Sequence, residues 1–377
     1  MTDVLEFFRK KKPWSRYKDL ILDYYLEPYL AKVARLRKPI LIVDCFAGPG
    51  IFDDGEPGSP LLISHRLEQA QRCGTEVLGF YVEKDPVLHE RLCRNTEESR
   101  VPVRIGCGDF REHVDEISRL ARNHTVFIYL DPIKPSHLLF RDMESVYSQL
   151  EHGGSVEVLI NFMSTGFLRA IRGLGNQMLA DGVVQTEDES VRHWDDVAGG
   201  TYWQDMIFDR QTSDLDQIEQ LAKGYAQRLN ERFDWVIRYP IREKYEHEFP
   251  KYHLTFGSRH PDAIELMNRA MVTARREFVV ARFVDGFLFE NQPEEEVIRP
   301  EEIERIVLDT CRTVGKTSWK DLRVRTTMAN PCMYIDSEIN RAIKKAIQAN
   351  KLGSDSPGTK VEEQALVWPV APMRGSV

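Results

Sequence analysis

The run Pro39-Ile40-Leu41-Ile42-Val43-Asp44, breaking into Cys45-Phe46-Ala47-Gly48-Pro49-Gly50, constrains the fold more than any other part of the chain. A short stretch of branched apolar residues without polar alternation marks a parallel strand covered on both faces. It closes on an acid and turns on glycine. In open α/β sheets the turn at a strand's carboxyl end is where ligands sit, so the sequence predicts an α/β fold with a small-molecule site here.

The pattern recurs along the next hundred residues. Val77 to Val82 is a second apolar run and stops at Glu83. A third, Val101 to Ile105, leads into Gly106-Cys107-Gly108-Asp109-Phe110, and a fourth, Thr125 to Leu130, ends in Asp131-Pro132. A fifth, Ser155 to Ile160, follows the glycine pair Gly153-Gly154, which is expected to end a helix, and leads to Asn161. Helix-length segments separate the runs, which is the alternation of a doubly wound parallel sheet.

The residues after the first turn bear on the ligand. A dinucleotide site needs Gly-x-Gly-x-x-Gly, whose third glycine opens a helix toward pyrophosphate. That third place is Asp53, followed by Asp54 and Glu56. Three carboxylates repel pyrophosphate but tolerate a ligand with a cationic centre and an ammonium group, and S-adenosylmethionine has both. Glu83 then suits both ribose hydroxyls, Asp109 an adenine amino group, and Phe110 the face of the ring. Asp44, Phe46, Gly48 and Gly50 complete the expected cofactor set. Asp131 and Asn161 are the candidates for orienting a nucleophile. Each acid also has a plainer reading, because Asp caps helices and forms turns after strands whatever the function. Their succession in order carries the functional reading.

The block Asp44-Cys45-Phe46-Ala47-Gly48-Pro49-Gly50, continued by Asp54-Gly55-Glu56-Pro57-Gly58-Ser59-Pro60, resembles the three-Cys-motif partner family of bacteria and phages. Asn161-Phe162-Met163, and Phe256-Gly257-Ser258-Arg259-His260-Pro261 followed by Glu265-Leu266-Met267, are similar to later blocks of that family. The resemblance spans nearly the whole chain. It implies a class I S-adenosylmethionine-dependent methyltransferase-like fold with a C-terminal winged helix, and a radical-enzyme-like partner protein that bears the three cysteines. One departure stands out: the family tends to have Asp-Pro-Phe-Gly after the fourth strand, where this chain has Asp131-Pro132-Ile133-Lys134. Amino-methyltransferases of DNA place a base-stacking ring near this point, and none is present here.

At 377 residues, 42% of them hydrophobic, the chain is long enough for two domains. We expect a methyltransferase-like domain over 1–290, with 163–230 a helical insertion above the sheet, and a winged helix-turn-helix domain over 297–377. No apolar stretch approaches a bilayer span, and the N-terminus lacks the apolar core of a secretion signal, so a cytoplasmic location is expected. The 6 cysteines form no Cys-x-x-Cys pair and the 10 histidines no ligand spacing, so no metal site is expected. Cys45 and Cys107 read as small buried fillers.

Leu20, Ile21, Tyr24, Tyr25, Tyr29, Leu30 and Val33 recur at helical spacing and predict a helix from about Ser15 to Arg37. Before and into it, Arg9 to Lys12, Trp14, Arg16, Tyr17 and Lys18 interleave cations and rings. That suits nucleic-acid contact, although a solvated charged face is the plainer reading of so short a run, and Lys18 and Asp19 can instead line the cofactor mouth. In the insertion, His193-Trp194-Asp195-Asp196 and Gly199-Gly200-Thr201-Tyr202-Trp203 are either substrate-recognition elements or core. Phe233 to Tyr239 and Tyr252 to Gly257 read as a terminal antiparallel pair whose last strand inserts between its neighbours, with a helix following from Pro261 to Arg276.

The polar, acidic stretch Glu290 to Arg299 marks a linker. Three helices follow, the first opening at Pro300, the second capped by Ser318, the third starting at Asp336 or Ser337 and ending near Leu352, and then two strand-like runs ending at Trp368. Between Val297 and Leu352, eleven Lys and Arg stand against seven Asp and Glu, in a chain of formal net charge −8. The expectation is duplex nucleic-acid binding through the third helix by Arg341, Lys344 and Lys345, with protein docking the other use of such a module. Two function classes emerge: a methyltransferase acting on nucleic acid, and a non-catalytic platform that binds nucleic acid and the partner protein.

Overall fold

The computed structural model describes residues 4–151, 154–180, 189–243, 247–284, 299–356 and 362–370. They fall into two compact units, Met1–His260 and Pro261–Val377. In the first, chain order is α1 (Val4–Phe7), α2 (Pro13–Val33), β1 (Ile40–Asp44), α3 (Ser59–Arg72), β2 (Val77–Glu83), α4 (Pro86–Thr96), β3 (Val103–Cys107), α5 (Val114–Ala121) and β4 (Thr125–Leu130). There follow α6 (Glu144–Glu151), β5 (Ser155–Phe162), α7 (Ser164–Ala180), α8 (Glu189–Ala198), α9 (Asp214–Leu229), β6 (Trp235–Ile241) and β7 (Tyr252–Ser258).

The seven strands form one sheet in the order β3-β2-β1-β4-β5-β7-β6. β1 pairs in parallel with β2 on one side (Asp44↔Tyr81) and with β4 on the other (Asp44↔Tyr129), so the strand order reverses between β1 and β4. β7 inserts antiparallel between β5 and β6. This is the class I, Rossmann-like arrangement the sequence predicts. Every residue of β1 and β4 is buried, as runs of branched and aromatic side chains covered on both faces should be. β3 lies at the sheet edge, and there the expected burial of Cys107 fails: it is exposed, whereas Cys45 on the central turn is buried.

Helix α2 starts with Pro13 in its first turn and packs Tyr25 on Phe127 and Phe256, with ring centroids 5.3 and 5.2 Å apart. It stops at Val33, short of the expected Arg37, because a 3-10 turn follows and Arg37 takes φ 54°. Helices α7 and α9 contribute Phe167, Leu168, Leu221 and Tyr225 to the main core, together with fully buried Trp203. Trp194 packs edge-on against Phe167, and Tyr202 lies against Gly224 of α9. These rings are core, and the part of 163–230 that is described is a helical cover.

The second unit contains α10 (Pro261–Val284), α11 (Pro300–Val314), β8 (Thr317–Ser318), α12 (Trp319–Ala329), α13 (Asp336–Gln348), β9 (Leu352–Ser354) and β10 (Leu366–Pro369). The strands form an antiparallel sheet in the order β8-β10-β9. Ile303, Val307, Trp319, Ile339, Ile343 and Val367 form its core. The unit opens at Pro261, ahead of the expected boundary, because the polar face of α10 is committed to it: Asn268 bonds Cys332 N and Tyr334 O, and Glu265 pairs with Arg323. Residues 285–298, which hold most of the expected linker, lie outside the described residues, as does Gly153.

Candidate functional site

A cavity of about 930 Å³ opens at the carboxyl ends of β1 to β5, where the strand order reverses. Each strand end contributes. Phe46 and Gly50 come from the turn after β1, Glu83 from β2, Asp109 and Phe110 from beyond β3, Asp131 from beyond β4, and Asn161 from β5. Neither Asp44 nor Gly48 lines it.

Asp44 instead braces the turn from behind. It is fully buried, accepts from Phe46 N at 3.1 Å and Ser59 Oγ at 2.6 Å, and burial pushes its carboxyl up to about 7 against those two bonds. This corrects its expected role as a ligand contact. Gly48 has φ +64°, and a Cβ there would meet the Phe8 ring at 2.8 Å, so the residue serves the turn and its roof. Glu83 joins the two sides of the crevice, one oxygen accepting from Gly48 N at 2.8 Å and the other from Asp85 N at 2.7 Å. Burial raises its pKa, with these amide bonds opposing the shift. Each Glu83 oxygen keeps a lone pair for a further donor. Phe110 is buried against Phe46 with centroids 5.2 Å apart. Asp109 accepts from Lys84 Nζ at 2.9 Å and from Arg111; burial raises its pKa but these cations outweigh it, and the net shift is downward.

The carboxylates invoked against pyrophosphate lie elsewhere. Asp53 pairs with Arg91 at 2.6 Å, Asp54 accepts from Lys11 N at 3.0 Å, Glu56 pairs with Arg16 at 3.4 Å, and none lines the cavity. Asp53 and Asp54 are exposed and Glu56 is half-buried, all three on the far side of the turn from the cavity lining. The acids that do line the cavity include Asp19, Glu83, Asp109 and Asp131, and Lys18, Lys84 and Arg111 stand among them.

At the floor, Asn161 Nδ2 donates to Asp131 Oδ1 at 2.6 Å, and Asp131 Oδ2 accepts from Tyr129 at 3.3 Å and pairs with Lys18. The Lys18 ammonium is buried and lies 5.0 Å from the centre of the Tyr252 ring. Asp19 beside it has a raised pKa because it is buried, with Lys11 opposing. Asn161 is 3% exposed and its Oδ1 has no hydrogen-bond partner among the described residues.

Part of the basic and aromatic N-terminal stretch packs at or beside this site. Lys11 is buried and pairs with Asp19, Tyr17 OH donates to Tyr239 OH at 2.9 Å, and Trp14 stacks under Lys251 at 3.5 Å. Lys18 and Asp19 line the cavity, as one of the sequence readings has it. Sequence reasoning missed Phe8, Lys251 and Tyr252. The doublet Phe7-Phe8 in a polar segment is the one local hint, and its contact with Phe52 spans more than forty residues.

In the second unit much of the positive charge counted over 297–352 is paired. Lys345 and Lys351 both pair with Glu304, Arg325 with Asp321, Arg312 with Asp309, and Arg323 is buried with Glu265. Over 261–377 there are 17 Lys and Arg against 18 Asp and Glu, so the basic character is confined to local faces. Arg341 and Lys345 are exposed and Lys344 is half-buried on α13. Among the described residues no cluster of His, Cys, Asp and Glu is arranged to hold a metal ion, and no helix is long and apolar enough to cross a membrane.

No family model matches the chain, and no curated protein matches it. Solved structures do. A Staphylococcus aureus protein assigned as a caffeoyl-CoA O-methyltransferase is 10% identical, with a TM-score of 0.30 over 62% of this chain and 82% of that one. M. jannaschii TYW2, solved with AdoMet, is 14% identical, with a TM-score of 0.26 over 61% and 73%. Loganic acid methyltransferase, solved with SAH, is 11% identical, with a TM-score of 0.28 over 76% and 88%. At these scores no residue role, ligand or substrate is transferred from them.

Proposed function

We propose that this chain is an S-adenosylmethionine-dependent methyltransferase acting on nucleic acid, a three-Cys-motif partner protein whose second unit is a winged helix-turn-helix. The observation that carries the reading is Glu83: an acid at the end of the second strand, lining the cavity, with both oxygens anchored by backbone amides and spare lone pairs on each. The donor set fits a sulfonium nucleoside. Glu83 accepts from ribose hydroxyls, Asp109 from an adenine amino group, and Phe46 and Phe110 offer apolar faces beside it. Asp19 and Asp131 supply negative charge for the sulfonium and ammonium, and Lys18 a cation for the carboxylate. When bound, the cofactor supplies an electrophilic methyl group. The chain's own part is to align the nucleophile and hold it with acceptors at Asp131 and Asn161.

Binding of a radical-enzyme-like partner and of duplex nucleic acid by Arg341, Lys344 and Lys345 belongs to the same proposal. One observation favours the non-catalytic platform: Lys18 already occupies Asp131. Calorimetric titration with S-adenosylmethionine and with NAD+ decides between ligand classes. Binding of the sulfonium nucleoside alone supports the proposal; binding of NAD+ alone, or of neither, defeats it.

A further inference from the structure

The identity of the methyl acceptor is open in that reading, and the cavity floor bears on it. Asn161 Oδ1 is a buried acceptor without a partner among the described residues, in a side chain that lines the cavity. The amide cannot simply be reversed, because its nitrogen donates to Asp131 Oδ1 at 2.6 Å and a flip would set oxygen against carboxylate. An unmet buried acceptor costs about 1–3 kcal/mol, and of the nine buried side-chain polar atoms without a hydrogen-bond partner among the described residues, Asn161 Oδ1 alone belongs to a residue that lines the cavity. Asp131 lies within reach of the same carboxamide and, as a carboxylate paired with Lys18, only accepts. The floor therefore presents two acceptors side by side. The chain itself already sets one nitrogen donor among them, the Lys18 ammonium on Asp131 near the Tyr252 face.

We propose that this floor takes a primary amino nitrogen, the exocyclic amine of a nucleobase, giving one N–H to Asn161 Oδ1 and the other to Asp131. The inference rests on the methyltransferase reading. A hydroxyl has one hydrogen and a ring carbon nucleophile has no N–H or O–H, so either leaves an acceptor unmet, whereas an amino group meets both. In the transfer the amino lone pair forms the new N–C bond while the C–S bond of the methyl donor breaks and its electron pair stays on sulfur. The nitrogen, briefly cationic, then loses one proton to the Asp131 carboxylate, which leaves a neutral secondary amine and a protonated carboxyl group. Asn161 holds the remaining N–H and takes no proton.

The test uses the full chain with S-adenosylmethionine carrying a tritiated methyl group, and as acceptors genomic DNA and total RNA from cells lacking this gene, digested to nucleosides and identified by mass spectrometry. The expected product is methylated on an exocyclic nitrogen of adenine, cytosine or guanine. Label on a ring carbon, a ribose oxygen or a phosphate overturns this inference and leaves the methyltransferase reading standing. Cofactor binding without label in either nucleic acid overturns the nucleic-acid acceptor and this inference with it, and absence of cofactor binding overturns the reading beneath both. Asn161→Ala adds a second readout: S-adenosylmethionine affinity by calorimetry unchanged within about twofold, with transfer slowed about 100-fold. A parallel loss of affinity assigns Asn161 to the cofactor instead. The wild-type product decides the question even if that variant fails to fold.

Discussion

Gly48 and Phe8 form a coupled pair across the roof of the cavity, and substituting both tests how the N-terminal segment closes the site. Gly48→Ala places an L side chain at φ +64°, which costs about 1–2 kcal/mol for the backbone alone. The new Cβ also lies 2.8 Å from the Phe8 ring, which must move. Phe8 is 7% exposed and packed on Phe7 and Phe52 at centroid distances of 5.1 and 5.3 Å, so displacing it forfeits up to about 1.5–3 kcal/mol of burial. Gly48→Ala should then cost about 2.5–5 kcal/mol in the wild-type background and only the backbone part, about 1–2 kcal/mol, in Phe8→Ala. Urea unfolding, with the two units fitted as separate transitions, measures both values. Equal costs in the two backgrounds would refute the contact between the roof and the turn.

Glu157 on β5 is buried, and burial pushes its carboxyl from 4.5 up to about 7 although Tyr25 and Ser258 donate to it. A folded-state pKa above the unfolded one means the contribution is full below about pH 4.5 and is lost as pH rises through about 7, about 3 kcal/mol in all. Glu157→Gln should flatten that part of the stability profile measured by urea unfolding from pH 4 to 8, leaving the drop due to Asp44; an unchanged profile rejects the assignment. Arg323→Ala strands Glu265 as a buried carboxylate and should destabilise the second unit by about 3–5 kcal/mol, and a loss under 1 kcal/mol in the same assay would contradict the burial of the pair. For duplex binding, charge reversal at Arg341, Lys344 or Lys345 should weaken affinity and lower the salt slope by about 1 each. A mobility-shift assay indifferent to all three points to protein docking.

The sheet was legible because its strands are strongly apolar and close on acids: Thr125–Leu130 falls where the pattern puts it, and the parallel order follows from the alternation with helices. Most of the cavity was legible for the same reason, since strand ends converge at the reversal of order whatever joins them. What sequence did not reveal depends on direction and distance. Asp44 and Glu83 end neighbouring strands with the same pattern, yet Asp44 pairs with Tyr81, so Glu83 stands two residues farther along at the cavity while Asp44 stays buried behind the turn, a difference of register that a single sequence does not fix. Asp53, Asp54 and Glu56 follow the turn directly in sequence, yet none lines the cavity, because nearness along the chain does not fix the direction of a side chain. The Phe8 roof and the Glu265–Arg323 pair are long-range contacts with no local signature. The charge count over 297–352 omitted Asp262 and Glu265, which α10 brings to Lys320 and Arg323.

The proposed activity requires Glu83 to hold a sulfonium nucleoside in the cavity. Calorimetric titration of S-adenosylmethionine into wild type and Glu83→Ala tests that most directly. Saturable binding to the wild type that weakens at least about 100-fold in Glu83→Ala, for two lost charge-assisted hydrogen bonds, is the predicted result. Equal affinity in the two proteins, or no binding to the wild type, would contradict it.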